Sequence, residues 1–194
     1  MTTNQAKQRK LVIFNMVTLD GFFEGPNQDI SWHNVDQEFN EFAIAQLQTI
    51  GGILFGRVTY QGMASYWPTD AALSDDPVVA GLMNSLPKIV FSNTLDKAGW
   101  NNTTLIKGDI AHEVSKLKLQ PGKDLFVFGS GNLTANLARL GLIDEYRLII
   151  NPVALGKGTP MFQGIAEKLK LKLLKTRVFD SGNVLLYYEP VRAG

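Results

Sequence analysis

The chain has 194 residues, 45% of them apolar and 19% charged, and its 19 basic and 18 acidic residues leave a formal charge of +1. That balance fits one soluble globular domain with a sizeable core and gives no reason to expect a nucleic-acid partner. Cysteine is absent and the only histidines are His33 and His112, which excludes disulfides, thiolate metal sites and a cysteine nucleophile, and no histidine–carboxylate spacing suits a metal.

Residues 1–10, "MTTNQAKQRK", are polar and read as a flexible N-terminus ahead of one domain spanning 11–190. They do not form a signal peptide, and no apolar run approaches the ~20 residues of a membrane span. The expected location is the cytoplasm, with no membrane partner. "KLVIFNMVTL" reads as a strand rich in β-branched residues, ended by Asp20-Gly21. A helix is expected over 34–50, with Phe39, Phe42, Ala43, Leu47 and Ile50 on one face and Gly51-Gly52 as its stop. "GILFG" is a short buried strand and "RVTYQGMASYW" a short helix. "DDPVVAGLMNSL" is a helix with acids at its start, followed by the strands "PKIVFSNT" and "TTLIKG". Asp109 opens the helix "DIAHEVSKLKL", and "KDLFVFG" is the next strand. The following helix runs over 132–140, with Leu133, Leu137 and Leu140 inward. "DEYRLIINPVAL" is a strand, and "LKLLKTRVFDSGNVLLYYEP" reads as two strands joined by a tight turn. The alternation predicts an α/β fold with a mostly parallel central sheet, helices on both faces and an antiparallel C-terminal hairpin.

Within "FVFGSGNLTANLARLG" a strand feeds a helix through Gly129-Ser130-Gly131. Such a corner leaves backbone N–H groups free at the positive end of the helix dipole, which suits a phosphate, although a simple strand-to-helix turn uses the same residues. The dinucleotide fingerprint G-x-G-x-x-G fails because its third position is Thr134, and "ALGKGTP" lacks the Walker spacing. Two more strand ends point the same way. "FGRVTYQGM" sets Arg57, Thr59 and Tyr60 at a strand-to-helix junction, and "IVFSNT" ends in Ser92, Asn93 and Thr94. Open α/β sheets bind ligands at the ends of strands, and three such ends suit a ligand with several phosphates.

The order of these segments resembles the dihydrofolate-reductase-like superfamily, from about Leu11 to Tyr188. The branch it resembles is the reductase domain of riboflavin biosynthesis and its stand-alone bacterial relatives. "GRVTYQGM" and "GLIDEYRLIINPVALGKGTPMF" carry the likeness, and "LDGFF" supports it. The resemblance implies a three-layer fold and NADPH bound in extended form across the strand ends. It implies that Val17, Asp20 and Gly21 lie beside the nicotinamide and its ribose. Arg57, Val58 and Thr59 would meet the pyrophosphate side, and Ser92 and Asn93 the adenosine 2′-phosphate. Gly129, Ser130, Gly131, Asn132 and Leu133 would pack against the pyrophosphate through backbone N–H groups. The implied activity is hydride transfer to a C=N or C=O bond of a small heterocyclic or sugar-like substrate, of the 5-amino-6-(5-phosphoribosylamino)uracil reductase or dihydrofolate reductase type. Homodimers through the sheet and C-terminal strands are implied as well.

The substrate side is expected between the first strand and the helix starting near Asn34, with Trp32 and His33 either walling a ring pocket or packing as ordinary half-buried residues, and Trp32 taken as a substrate-binding candidate. Folate reductases place an acid shortly after a Trp, and Asp36 follows Trp32 by four positions. Asp36 is the candidate catalytic acid, delivering the proton itself or through an ordered water. The competing reading makes Asn34 and Gln37 a capping box, with Asp36 merely favouring the helix end. Lys157, in a glycine-rich loop, is the best cation for a substrate phosphate. The zinc deaminase motifs often fused to the riboflavin enzyme are missing. Two alternatives stay open: a nucleotide-binding protein without turnover, and a flavin-binding protein using the same phosphate corner.

Overall fold

A computed structural model describes residues 8–165 and 167–191. Among them an eight-stranded sheet has the order β5-β4-β3-β6-β1-β7-β10-β9. Its strands are β1 (Leu11–Thr18), β3 (Gly52–Gly56), β4 (Lys88–Phe91), β5 (Thr103–Ile106), β6 (Leu125–Phe128), β7 (Glu145–Asn151), β9 (Leu171–Val178) and β10 (Val184–Pro190). The six strands from β5 to β7 run parallel, and β10 and β9 close that edge as an antiparallel hairpin. A separate pair joins β2 (Phe22–Glu24) to β8 (Thr159–Pro160). The helices are α1 (Gln37–Leu47), α2 (Arg57–Tyr66), α3 (Asp70–Asp75), α4 (Pro77–Ser85), α5 (Ile110–Leu119) and α6 (Gly131–Arg139). The expected mostly parallel sheet, end hairpin and two helical layers are all present.

Alternating strand residues divide the core between the two faces, as the period of two requires. Val12, Ile53, Phe55, Val90 and Phe126 pack with Leu47 of α1, Tyr60 of α2 and Met83 of α4. Leu11, Ile13, Leu54, Leu125 and Val127 pack with Val114 of α5 and Leu133 and Leu137 of α6. A third cluster sets Phe39 of α1 against Ile149, Leu185, Tyr187 and Phe179 near the hairpin.

Four expectations shift. Helix α1 begins at Gln37 and Asp36 is its N-cap, accepting from Phe39 N at 2.8 Å. Asn34 is no capping residue: its amide side chain donates to Ser181 O and its backbone N–H to Asn151 Oδ1, both at 2.9 Å. A contact distant in sequence has outcompeted the local pattern. Leu140 stands 44% exposed because α6 ends at Arg139. The stretch expected to be flexible includes Arg9 and Lys10, which are tied down: Arg9 Nε donates to Lys123 O at 2.6 Å and Lys10 N to Asp124 Oδ1 at 2.8 Å. Residues 1–7 lie outside the described residues.

Lys88 is the most deeply buried charged side chain among the described residues, with 1% of its surface exposed. Its ammonium donates to Met83 O, Asn84 O and Leu86 O at 2.8–2.9 Å and lies 4.3 Å from the centroid of the Trp100 ring. It satisfies carbonyls that the end of α4 leaves unpaired.

Candidate active site

Neighbouring strands β3 and β6 are parallel, yet the helices that follow them lie on opposite faces: α2 on the Tyr60 side, α6 on the Leu133 side. A crevice must open where such connections part, just beyond the carboxyl ends of the two strands. The structure has a cleft of about 230 Å³ there. Gly56, Val58 and Thr59 form one wall, and Ser130, Gly131, Asn132 and Leu133 the facing one. Phe23, Glu24 and Gln28 with Thr159, Pro160 and Gln163 close the cleft from the β2–β8 side.

Both helix ends at the cleft lack a side-chain cap. Helix α2 starts from Gly56 and α6 from Ser130 with no capping hydrogen bond. The other four α-helices described are capped, by Asp36, Thr69, Asp76 and Asp109. First-turn N–H groups have no partner inside their own helix, so two positive helix ends converge on one concave surface. Such a surface attracts an anion, and two linked anionic groups can engage both ends.

The corner at Gly129 is held from behind. Gly129 N donates to Asn15 Oδ1 at 2.7 Å, so this N–H serves the fold. The same buried side chain donates from Nδ2 to Met161 Sδ at 3.0 Å. Gly129 has φ +63°, and a Cβ there would lie 2.9 Å from Thr59 Cγ2. Glycine is therefore required both for backbone conformation and for close approach. A Cβ on Gly131 would lie 2.8 Å from the Phe23 ring, so the β2 flap rests directly on the start of α6.

Of the residues expected to bind a cofactor, Val58, Thr59, Ser130, Gly131, Asn132 and Leu133 line this one cleft. Arg57, Ser92 and Asn93 are not among its walls but follow the adjacent strand ends, since Gly56 pairs with Phe91 across β3 and β4. Arg57 is exposed and donates to Gln61 Oε1 at 3.0 Å. Ser92 Oγ accepts from Thr94 N and Leu95 N, and Asn93 Oδ1 from Gly108 N, so these acceptors shape the turn after β4.

Val17 is buried, 3% exposed, near the end of β1. Asp20 and Gly21 belong to the turn that follows. Thr18 Oγ1 donates to Asp20 at 2.6 Å and Gly156 N at 2.7 Å, and these bonds hold its carboxyl below the usual carboxylate range. Asp20 thus ties the end of β1 to the glycine-rich loop that carries Lys157, whose side chain is exposed.

The substrate candidates cluster on the α1 side of the same sheet edge. Thr18 pairs with Asn151 across β1 and β7, and Asn151 holds Asn34 two residues before Asp36. Trp32 donates from Nε1 to Asp29 O at 3.0 Å, and its ring meets His33 edge-on at 4.6 Å. Burial pushes the His33 imidazole down to about 4, which keeps it neutral at pH 7. The sequence reading missed Phe23, Gln28, Pro160 and Gln163 as cleft walls. Glycines 21, 156 and 158, each with positive φ, were the local signal that the chain folds back there.

Together the sheet order, the crevice at its switch point and the two open helix ends define an α/β fold of the dihydrofolate reductase type. The chain belongs to the RibD C-terminal domain family, whose model matches residues 9–185. It is 38% identical to YyaP of Bacillus subtilis over 188 residues, 96% of this chain and 97% of that protein. Among solved structures, a Shewanella sp. PV-4 protein assigned to riboflavin biosynthesis superposes with TM-score 0.74 at 23% identity, covering 94% of this chain and 99% of that one. Dihydrofolate reductase from Enterococcus faecalis, solved with NADP(H), superposes with TM-score 0.61 at 15% identity, covering 94% and 97%.

Proposed function

We propose that the cleft between α2 and α6 holds the diphosphate of NADPH and that the protein is an NADPH-dependent reductase. The observation that carries this reading is the pair of uncapped helix ends opening onto one cleft, in a chain that caps its other α-helices with side chains. The family and its NADP(H)-bound structural relative agree with it. On this reading the N–H groups of residues 57–59 and 131–133 receive the diphosphate. Arg57, Ser92 and Asn93 receive the adenosine 2′-phosphate on the β4 side, while Val17, Asp20 and Gly21 border the nicotinamide end. Bound NADPH supplies the hydride. The chain orients it toward a small heterocyclic or sugar-like substrate with a C=N or C=O bond. Trp32 and Lys157 contact that substrate, and Asp36 gives a proton directly or through water.

Tryptophan-fluorescence titration tests the assignment. NADPH binds more tightly than NADH, and R57A or S92A narrows the gap. Equal affinities for the two cofactors would remove the 2′-phosphate assignment. A second reading, nucleotide binding without turnover, is favoured by one observation: Asp36 already spends a carboxylate oxygen on capping Phe39. Sustained NADPH oxidation with dihydrofolate, a pyrimidine aminosugar or a quinone would exclude it. We further propose a cytoplasmic homodimer. Its surface would be the β9 edge, where Leu173, Leu174 and Val178 are 49%, 43% and 69% exposed.

A further inference from the structure

Ser130 is the N-cap residue of α6, yet its hydroxyl does not cap α6. It reaches across the cleft floor and accepts from Gly56 N, the N-cap residue of α2, at 2.8 Å. The contact is close-packed as well as polar, since a Cβ on Gly56 would lie 3.3 Å from Ser130 Oγ. To make this bond Ser130 adopts φ +61° and ψ +67°, the left-handed region, with only 8% of its surface exposed. Glycine would occupy that backbone without strain, and glycines flank it on both sides. Its carbonyl accepts from Thr134 N within α6, so the side chain is what this strained backbone places, and the bond that side chain makes joins two helix ends.

We infer that Ser130 is a positioning residue that sets the spacing of the two helix ends, and so makes the cleft selective for a ligand with two linked phosphates over one with a single phosphate. This rests on the NADPH reading above. A single phosphate engages one helix end and is indifferent to the other's position. A diphosphate spans both, so each of its halves is well placed only if the ends are held apart by a fixed distance. Gly129, locked to Asn15 and pressed on Thr59, fixes the β6 side of the corner, and the Ser130 hydroxyl transmits that position to α2.

The test uses Ser130→Gly and Ser130→Ala, with thermal unfolding and titration of NADPH and of reduced nicotinamide mononucleotide, which has one phosphate. S130G relieves the left-handed strain and therefore keeps a melting temperature near or above that of wild type, whereas S130A melts lower. Both variants weaken NADPH binding about tenfold, the effect of one lost buried hydrogen bond, and leave the mononucleotide affinity unchanged. Unchanged NADPH affinity in S130G would overturn the inference. Equal proportional losses for the two ligands would also overturn it, because a merely structural role predicts them. Wild-type protein that binds neither ligand would instead remove the NADPH reading itself, and this inference with it.

Discussion

Replacing Gly129 by alanine tests whether close approach at the cleft corner is what holds α2 in place. Two costs follow from the structure. Alanine at φ +63° carries the left-handed penalty, about 1 kcal/mol. Its Cβ would also lie 2.9 Å from Thr59 Cγ2, an overpacking worth roughly 2 kcal/mol. The sum, about 3 kcal/mol, lowers the melting temperature of a domain this size by about 9 °C. Thr59→Ser deletes the methyl group that clashes, so the double variant G129A/T59S recovers the packing part, about 6 °C, and keeps the backbone part. The assay is thermal unfolding of the four proteins of this cycle, paired with NADPH titration. Binding should weaken in G129A and recover in the double variant, because Thr59 sits in the first turn of α2. A G129A protein that melts with wild type, or a double variant with no recovery, would refute the packing argument.

Asp36→Asn keeps a competent N-cap, so the melting temperature changes by less than about 2 °C; if Asp36 supplies the proton, turnover falls about 100-fold or more, and unchanged turnover would leave it a cap alone. Lys88→Met strands Met83 O and Leu86 O, leaves Asn84 O to Asn102 Nδ2 alone and costs about 3 kcal/mol in chemical denaturation. Burial pushes the Lys88 ammonium from 10.5 down to about 8. Between those pH values the unfolded chain binds more protons than the folded one, so this group makes wild-type stability rise with pH across that window, and K88M loses that rise. For the proposed dimer, Val178→Lys places a charge on the exposed edge and shifts the mass measured by light scattering to that of a monomer; a dimer unaffected by V178K would place the interface elsewhere.

What was legible in the sequence was whatever depends on near neighbours. The β-branched run of β1 and the buried "GILFG" announced their strands, and Asp109 and the acids before Pro77 announced helix starts. The glycine corner was readable because the positive φ at Gly129 is a local demand. Distant contacts were not readable. Asn34 looked like a cap until Ser181 and Asn151, more than 100 positions away, claimed it. Strands β2 and β8 are three and two residues long and carry no periodicity, yet they bring Phe23 and Pro160 to the cleft. The role of the Ser130 hydroxyl was hidden for the same reason, since its partner lies 74 positions earlier.

The cleft is assembled from four stretches, around residues 23–28, 56–59, 130–133 and 159–163. A chain emerging from the ribosome therefore displays no complete binding surface until every strand of the parallel sheet, the last ending at Asn151, has been synthesised. Ligand present during translation cannot rescue an early fragment; it stabilises only the finished arrangement, by mass action on the native state. If NADPH is the ligand, as proposed, it would act as a late selector, protecting chains that have closed the corner correctly and leaving the others to proteolysis.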